Sequence, residues 1–146
     1  MPGRRHNSPF HKILVGYDGS QLSQKALDIG FGLAQSEDAK LLVLAVARPP
    51  EPATRVETMG ILENAQEHFE QDFKQITTRG QELGVNVETD VIVGHPTEQL
   101  VHRAEMEKAD LIIVGRRGMS RFGRMLVGST SEKVLRYAHC PVMVVQ

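Results

Sequence analysis

Short runs of apolar residues alternate with amphipathic segments along the whole chain. The runs predict buried strands, because a strand covered on both faces is apolar at successive positions. Between the runs, apolar residues recur at the spacing of a helix with one buried face. The predicted strands are Ile13–Val15, Lys40–Ala47, Val85–Val93, Leu111–Val114 and Pro141–Val145, and the predicted helices are about Gln21–Gln35, Gly60–Leu83, Pro96–Lys108 and Ser131–Ala138.

The alternation of strands and helices predicts a single-domain α/β fold, in which an open parallel sheet carries helices on both faces. Val85–Val93 alternates valine with polar residues in its first half, as expected for a half-exposed edge strand. We expect the apolar strand Pro141–Val145 at an edge too, where pairing with a second copy would cover it. Ligands bind beyond the carboxyl ends of the strands in such sheets. Asp18, Val46 and Gly115 stand at three of those ends.

The composition is that of one cytoplasmic domain. The chain has 146 residues, 40% of them hydrophobic, which suffices for a buried core. A net charge of −1 gives no general argument for nucleic acid or a membrane as partner. The single cysteine, Cys140, suits a reducing cytosol and is interpreted as an inert buried thiol. No apolar run is long enough to span a bilayer, and we expect residues 1–11 to form a flexible tail before a domain at 12–146.

One segment departs from this neutral composition. Gly115–Thr130 contains four glycines and four arginines, and no acidic residue occurs between Leu111 and Ser131. It follows a predicted strand and leads into a helix that Ser129 and Glu132 would cap. Backbone N–H groups of a glycine-rich loop and the positive end of a helix dipole together attract anions. The segment therefore predicts a phosphate site and points to nucleotide binding.

The common phosphate-binding motifs are absent. The P-loop pattern G-x-x-x-x-G-K-[ST] does not occur, and the one G-x-G lies inside a predicted helix and lacks the third glycine of the dinucleotide pattern. A P-loop ATPase and a nicotinamide dehydrogenase are therefore disfavoured. The chain has instead Gly115-x2-Gly118-x9-Gly128-Ser129, in which glycines permit close approach of the backbone to a phosphate and Ser129 and Thr130 supply hydroxyl donors.

With these residues the chain resembles the universal stress protein family, from Lys12 to Gln146. The resemblance rests on the opening Ile13–Ser20, the Gly94-His95-Pro96 turn, the closing Pro141–Val145 and the complete G-x2-G-x9-G-[S/T] pattern, which marks the ATP-binding members. It implies a Rossmann-like sheet of five parallel strands in the order 3-2-1-4-5. It also implies a homodimer formed through the last strand, and ATP bound across the carboxyl edge of the sheet.

The resemblance further assigns residues to the nucleotide. Asp18 matches the family acid near the adenosine part, and Val46 matches the second-strand position whose backbone contacts adenine. The ribose and phosphate positions are matched by Gly115, Gly118, Gly128, Ser129 and Thr130. Mg²⁺ or Mn²⁺ is expected on the phosphates, held partly by ATP itself, because Mg²⁺ sites often use few protein ligands.

Each assignment has a simpler structural alternative. Asp18 could organise the turn before the first helix, and Ser129 could serve only as a helix cap. His95 is interpreted as a turn residue, and the histidines do not have the spacing of metal ligands. The loop arginines, whose positions the family does not fix, could be solvated surface charges; they are Arg116, Arg117, Arg121 and Arg124.

The sequence favours a cytosolic ATP-binding stress-response protein that signals through its nucleotide-bound state with little or no turnover. No residue is identified that would position water for hydrolysis, so no catalytic residue is assigned. Slow ATP hydrolysis or autophosphorylation on Ser129, Thr130 or Ser131 is left open. A nucleotidyl transferase or ATP pyrophosphatase is disfavoured, since H-x-G-H and S-G-G-x-[DS] do not occur. The complete glycine pattern argues against a nucleotide-free dimeric interaction module.

Overall fold

The computed structural model describes residues 8–49, 52, 54–116 and 129–146. Its strands form a five-stranded parallel sheet in the order β3-β2-β1-β4-β5, which confirms the predicted fold and strand order. The strands are β1 (Lys12–Gly16), β2 (Lys40–Ala47), β3 (Val87–Val93), β4 (Leu111–Gly115) and β5 (Val142–Val145), and the helices are α1 (Gln21–Glu37), α2 (Arg55–Leu83), α3 (Pro96–Glu107) and α4 (Ser129–Tyr137).

Both faces of the central strand are covered. β1 lies between β2 and β4, and its Ile13, Leu14 and Val15 are completely buried. Successive side chains of a strand point to opposite faces. Ile13 and Val15 belong to a core with residues of α1 and α2, whereas Leu14 belongs to a core with residues of α3 and α4. This two-sided burial explains why the central strands are apolar at consecutive positions.

Helix α2 begins at Arg55, earlier than the predicted start at Gly60. Thr54 caps it, because its hydroxyl oxygen accepts a hydrogen bond from the backbone N–H of Glu57 at 3.0 Å. The carboxylate of Glu57 lies in the first turn, where its negative charge interacts favourably with the helix dipole. The apolar stripe of α2 starts only at Ile61, so the periodicity did not reveal the exposed first turns.

Two further boundaries differ from the prediction. β3 begins at Val87 rather than Val85, because the N–H of Val85 donates to the carbonyl of Gly80 at 2.8 Å and closes the end of α2. α4 begins at Ser129 rather than Ser131. Ser129 therefore lies within the helix, rather than at the position before it that a capping pair with Glu132 requires.

Helix α1 lies close to the sheet at Gly30. A Cβ atom added there would lie 2.8 Å from Cγ2 of Val15 and 3.2 Å from Cδ1 of Leu41. Gly32, on the exposed side of the same helix, would meet nothing within 4 Å. Gly30 is thus a packing residue, whose absent side chain lets the helix approach the sheet.

Candidate functional site

A cleft opens at the carboxyl edge of the sheet, between the ends of β1 and β4. The strand order reverses here, since β2 and β3 lie on one side of β1, and β4 and β5 lie on the other. Open α/β sheets bind ligands at this point. The cleft holds about 470 Å³ of space, part of it open to solvent. Its described walls are Gly16, Tyr17, Asp18, Ser20, Ser23, Leu44, Val46, Pro96, Leu100, Val114, Gly115 and Thr130.

Four residues predicted to contact nucleotide come together in this cleft: Asp18, Val46, Gly115 and Thr130. They arrive from the ends of β1, β2 and β4 and from the start of α4, although as many as 112 sequence positions separate Asp18 from Thr130 (130 − 18). Ser129 opens α4 directly before Thr130. The other two predicted residues, Gly118 and Gly128, lie outside the described residues.

The turn between β1 and α1, residues 17–20, is organised around Asp18 and is called the Asp18 turn. Oδ1 of Asp18 accepts a hydrogen bond from the N–H of Ser20 at 2.9 Å, and the N–H of Asp18 donates to the hydroxyl of Ser23 at 3.3 Å. Gly19 between them has φ +83°, a conformation that L side chains rarely adopt. Ser20 caps α1 by accepting from the N–H of Ser23. The turn-organising role of Asp18 is therefore confirmed, and its nucleotide contact stays a prediction.

Tyr17 connects this turn to α2. Its backbone N–H donates to the carbonyl of Leu44 at 2.9 Å, and its phenol donates to a carboxylate oxygen of Asp72 at 2.7 Å. The ring packs against Phe69 and Phe73, with centroid separations of 6.0 and 6.2 Å. Burial, and then the hydrogen bond to Asp72, raise the pKa of Tyr17 far above its ordinary value. The phenol therefore remains a protonated donor.

One wall of the cleft is apolar. Leu44 and Leu100 are almost fully buried, Val114 is 4% exposed, and half-buried Val46 continues the wall outward from β2. Pro96 opens α3 beside them, at the first helical position. A flat heteroaromatic base would remove such a surface from water, while backbone groups at the strand ends could bind its polar edge.

Gly115 has a structural role that its place in a loop motif did not reveal. A Cβ atom at this position would lie 2.9 Å from the backbone carbonyl carbon and the Cβ of Leu22, and 3.0 Å from the Leu22 carbonyl oxygen. No side chain fits there unless the backbone of α1 moves. Gly115 therefore allows the first turn of α1 to lie against the end of β4, which brings Ser20 and Ser23 to the cleft.

The start of α4 borders the cleft through half-buried Thr130. A helix N-terminus presents unpaired N–H groups and a partial positive charge to an anion. Arg116, by contrast, is turned toward β5: its guanidinium donates to the side-chain oxygen of Gln146 at 3.1 Å, and its N–H donates to the carbonyl of Val145. Arg117, Arg121 and Arg124 lie outside the described residues.

The remaining candidate chemistry concerns metal ligands, His95 and Cys140. Within the described ranges, no group of three or more His, Cys, Asp or Glu residues is placed to hold a metal ion. His95 stands at the N-cap of α3, as expected of a turn residue. Cys140 is half-buried rather than buried, and desolvation, with a smaller effect of the Asp110 carboxylate, raises the pKa of its thiol, which supports the interpretation as unreactive. In the part of the chain that is described, no helix is both long and apolar enough to cross a membrane.

Among the lining residues that sequence reasoning did not assign to the site are Tyr17, Ser23 and Leu100. Ser23 follows the Ser20 cap at the spacing of a capping box, with serine where glutamate is usual, and this spacing was the available signal. Leu100 was predicted as an inward residue of its helix without a role at the cleft. Nothing in the sequence connects Tyr17 to Asp72.

The fold defines the chain as an open α/β domain with a cleft where its strand order reverses, and comparison with known proteins makes the class specific. The sequence model of the universal stress protein family matches residues 9–146. Universal stress protein MJ0531 of Methanocaldococcus jannaschii is 32% identical over 98% of this chain and 86% of its own. The chain belongs to the universal stress protein family.

Solved structures agree with this assignment. UspA from Lactobacillus plantarum is 26% identical and superimposes with a TM-score of 0.79, over 96% of this chain and 100% of its own. A universal stress protein in complex with cAMP is 27% identical, with a TM-score of 0.75 over 95% of this chain and 99% of its own. At least one similar protein thus binds an adenine nucleotide.

Proposed function

We propose that this protein binds ATP in the cleft between β1 and β4 and acts as a cytosolic stress-response protein whose nucleotide-bound state is the signal. The observation that carries the proposal is the convergence of an apolar wall, the Asp18 turn and the start of α4 where the strand order reverses. Base, ribose and phosphate each need a different surface, and these three surfaces lie side by side in one cleft.

The proposed orientation places adenine against Val46 and the apolar wall, and the ribose near Asp18 and Gly115. The phosphates extend toward Thr130 and the first turn of α4, where helix N–H groups are available. Ser129, Gly118 and Gly128 are proposed to contact the phosphates as well. Mg²⁺ or Mn²⁺ bound to the phosphates would be held in part by ATP itself and would neutralise charge there.

We propose little or no hydrolysis. Phosphoryl transfer needs a group that positions the attacking water. Among the described residues that line the cleft, the one carboxylate is that of Asp18, which holds the N–H of Ser20 and stands at the proposed adenosine end rather than at the phosphates.

Calorimetry with ATP in excess Mg²⁺ tests the proposal, and we expect saturable binding at one site per chain. Because a ligand of the native state stabilises it by mass action, Mg-ATP at about 100 times its Kd should raise the free energy of unfolding by about 2.7 kcal/mol. Mg-GTP is the matched control, and we expect it to bind more weakly. A melting temperature that does not respond to millimolar Mg-ATP would mean that the cleft is not an ATP site.

Cyclic AMP is the second candidate ligand, because a protein 27% identical to this chain has been solved with cAMP. It shares adenine and ribose with ATP but has a single phosphate, so it would use the apolar wall and the Asp18 turn without reaching far along α4. Competition between the two ligands in the same calorimeter ranks them directly.

We further propose a homodimer formed through the β5 edge. The carbonyl of Pro141 accepts a hydrogen bond from the N–H of Ile112 in β4, and the carbonyl of Val145 accepts one from the N–H of Arg116, directly after β4. In a parallel strand alternate residues direct their N–H and C=O to opposite sides, so Val144 presents its backbone to the outside. An unpaired apolar edge favours pairing with a second copy.

Replacing Val144 with proline is expected to give a monomer. Proline removes the outward N–H while leaving the inward hydrogen bonds to β4 in place. Val144→Ala is the matched control, since it trims the side chain but keeps the N–H, and it should remain dimeric. Light scattering after size exclusion measures both, and a monomeric unmodified protein would contradict the proposed dimer.

A further inference from the structure

Helix α2 packs against the Asp18 turn on the side of Tyr17. Phe69, Asp72 and Phe73 stand on one face of this helix, and all three contact Tyr17, the residue directly before Asp18. The same helix approaches the turn at a second point: a Cβ atom at Gly19 would lie 3.9 Å from a carboxylate oxygen of Asp72. α2 therefore packs against Tyr17 on one side of Asp18 and lies near Gly19 on the other.

The hydrogen bond between Tyr17 and Asp72 gives this contact a defined geometry. Tyr17 is only 6% exposed, and a buried hydroxyl needs a partner. Edge-to-face and tilted ring contacts alone could shift, whereas a 2.7 Å hydrogen bond to a carboxylate fixes the direction of the phenol. The backbone of Tyr17 is also bonded to Leu44 of β2, on the apolar wall. One residue thus connects α2, the apolar wall and the Asp18 turn.

We propose that Tyr17 and Asp72 form a positioning pair that holds Asp18 in the orientation needed to bind the adenosine part of the nucleotide. This inference rests on the proposed ATP function of the cleft. Tyr17 acts on binding indirectly, through Asp18. Its phenol is hydrogen-bonded to Asp72 of α2, and the carboxylate proposed to contact the ligand is that of Asp18. A small rotation of the turn would displace that carboxylate, and preorganisation of binding groups is a large part of affinity.

The test compares nucleotide affinity in single substitutions. Tyr17→Phe keeps the ring packing and removes only the phenol, and we expect it to raise the Kd for Mg-ATP by about 3- to 10-fold, the effect of losing one hydrogen bond. Asp72→Asn retains an acceptor oxygen for the phenol and should bind within about twofold of the unmodified protein. Tyr137→Phe is the matched control, because Tyr137 is 56% exposed on α4, and it should leave the Kd unchanged.

A double-substitution cycle with Asp18→Asn separates positioning from general stability. If Tyr17 acts through Asp18, Tyr17→Phe should change the Kd by less than about twofold once Asp18 is already replaced by asparagine. Thermal shift at millimolar Mg-ATP extends the measurement to weak binders, and circular dichroism checks that each variant is folded.

The possible outcomes separate the two proposals. No binding by the unmodified protein would refute the ATP function itself. Binding by the unmodified protein with an unchanged Kd in Tyr17→Phe would refute the positioning role alone. A loss of affinity from Tyr17→Phe that is equal with and without the Asp18→Asn substitution would also refute it, because Tyr17 would then act independently of Asp18.

Discussion

Replacing Gly128 with glutamate is expected to abolish ATP binding while the protein stays folded. Gly128 directly precedes Ser129, where α4 begins, so the substitution places a negative charge at the end of the helix where the phosphates are proposed to bind. Repulsion between this carboxylate and the triphosphate, in a partly desolvated site, should raise the Kd by at least about 100-fold. Gly118→Glu, three positions after Gly115, should act in the same way. Calorimetry with Mg-ATP measures both.

The control for the added charge is Gly32→Glu. Gly32 lies on the exposed face of α1, and a Cβ atom there would meet nothing within 4 Å. It adds the same carboxylate away from the cleft and should leave the Kd unchanged. Retained affinity in both the Gly118 and Gly128 variants would show that the phosphates bind elsewhere, whereas a loss shared with Gly32→Glu would indicate a nonspecific effect of charge.

Substitution of Gly80 by alanine is expected to have the largest effect on stability. A Cβ atom at this buried position of α2 would lie 2.4 Å from Cγ1 of Val87 and 3.0 Å from the carbonyl oxygen of Val85. The side chain of Val87 is β-branched and belongs to β3, so it cannot turn away freely. Overpacking of this kind should lower the free energy of unfolding by about 2 kcal/mol, measured by urea denaturation.

Gly60→Ala supplies the comparison within the same helix. A Cβ atom at Gly60 would meet nothing within 4 Å, so alanine should bring only its higher helix propensity and raise the free energy of unfolding by about 0.5–1 kcal/mol. The two substitutions are chemically identical and are expected to have opposite signs. Equal effects would mean that α2 does not dock on β3 at Gly80.

The parallel sheet and the edge that carries the cleft could be predicted because they follow from patterns that lie within single elements, whereas the strand order was implied by the resemblance to the universal stress protein family. Ile13–Val15 and Leu41–Ala45 are apolar at consecutive positions because both faces of the central strands are covered, and that is visible in one strand at a time. The end of each strand is equally visible, so Asp18, Val46 and Gly115 could be assigned to one edge before any contact was known.

The features that could not be predicted from the sequence depend on contacts between elements that are distant in the chain. Gly115 was assigned to a flexible loop, yet what excludes its side chain is the backbone of Leu22. Arg116 was interpreted as a solvated surface charge, with a phosphate contact left open, yet its guanidinium bonds to Gln146 beyond β5. Neither contact can be predicted from the local pattern of residues. The exposed start of α2 was missed for a different reason, since its cap at Thr54 precedes the first apolar position.

Because β1 is buried on both faces, the hydrogen-exchange rate of its amide protons can be used to measure ligand binding. Amide protons of a strand that is hydrogen-bonded on both sides and covered on both faces exchange with solvent only when the whole domain unfolds. Deuterium uptake at Leu14 therefore reports the global unfolding equilibrium, whereas the edge strands β3 and β5 exchange through local openings. Any ligand of the native state slows uptake at Leu14 by the factor 1 + [L]/Kd, so one buried amide can read nucleotide affinity in a chain that has no tryptophan to report it by fluorescence.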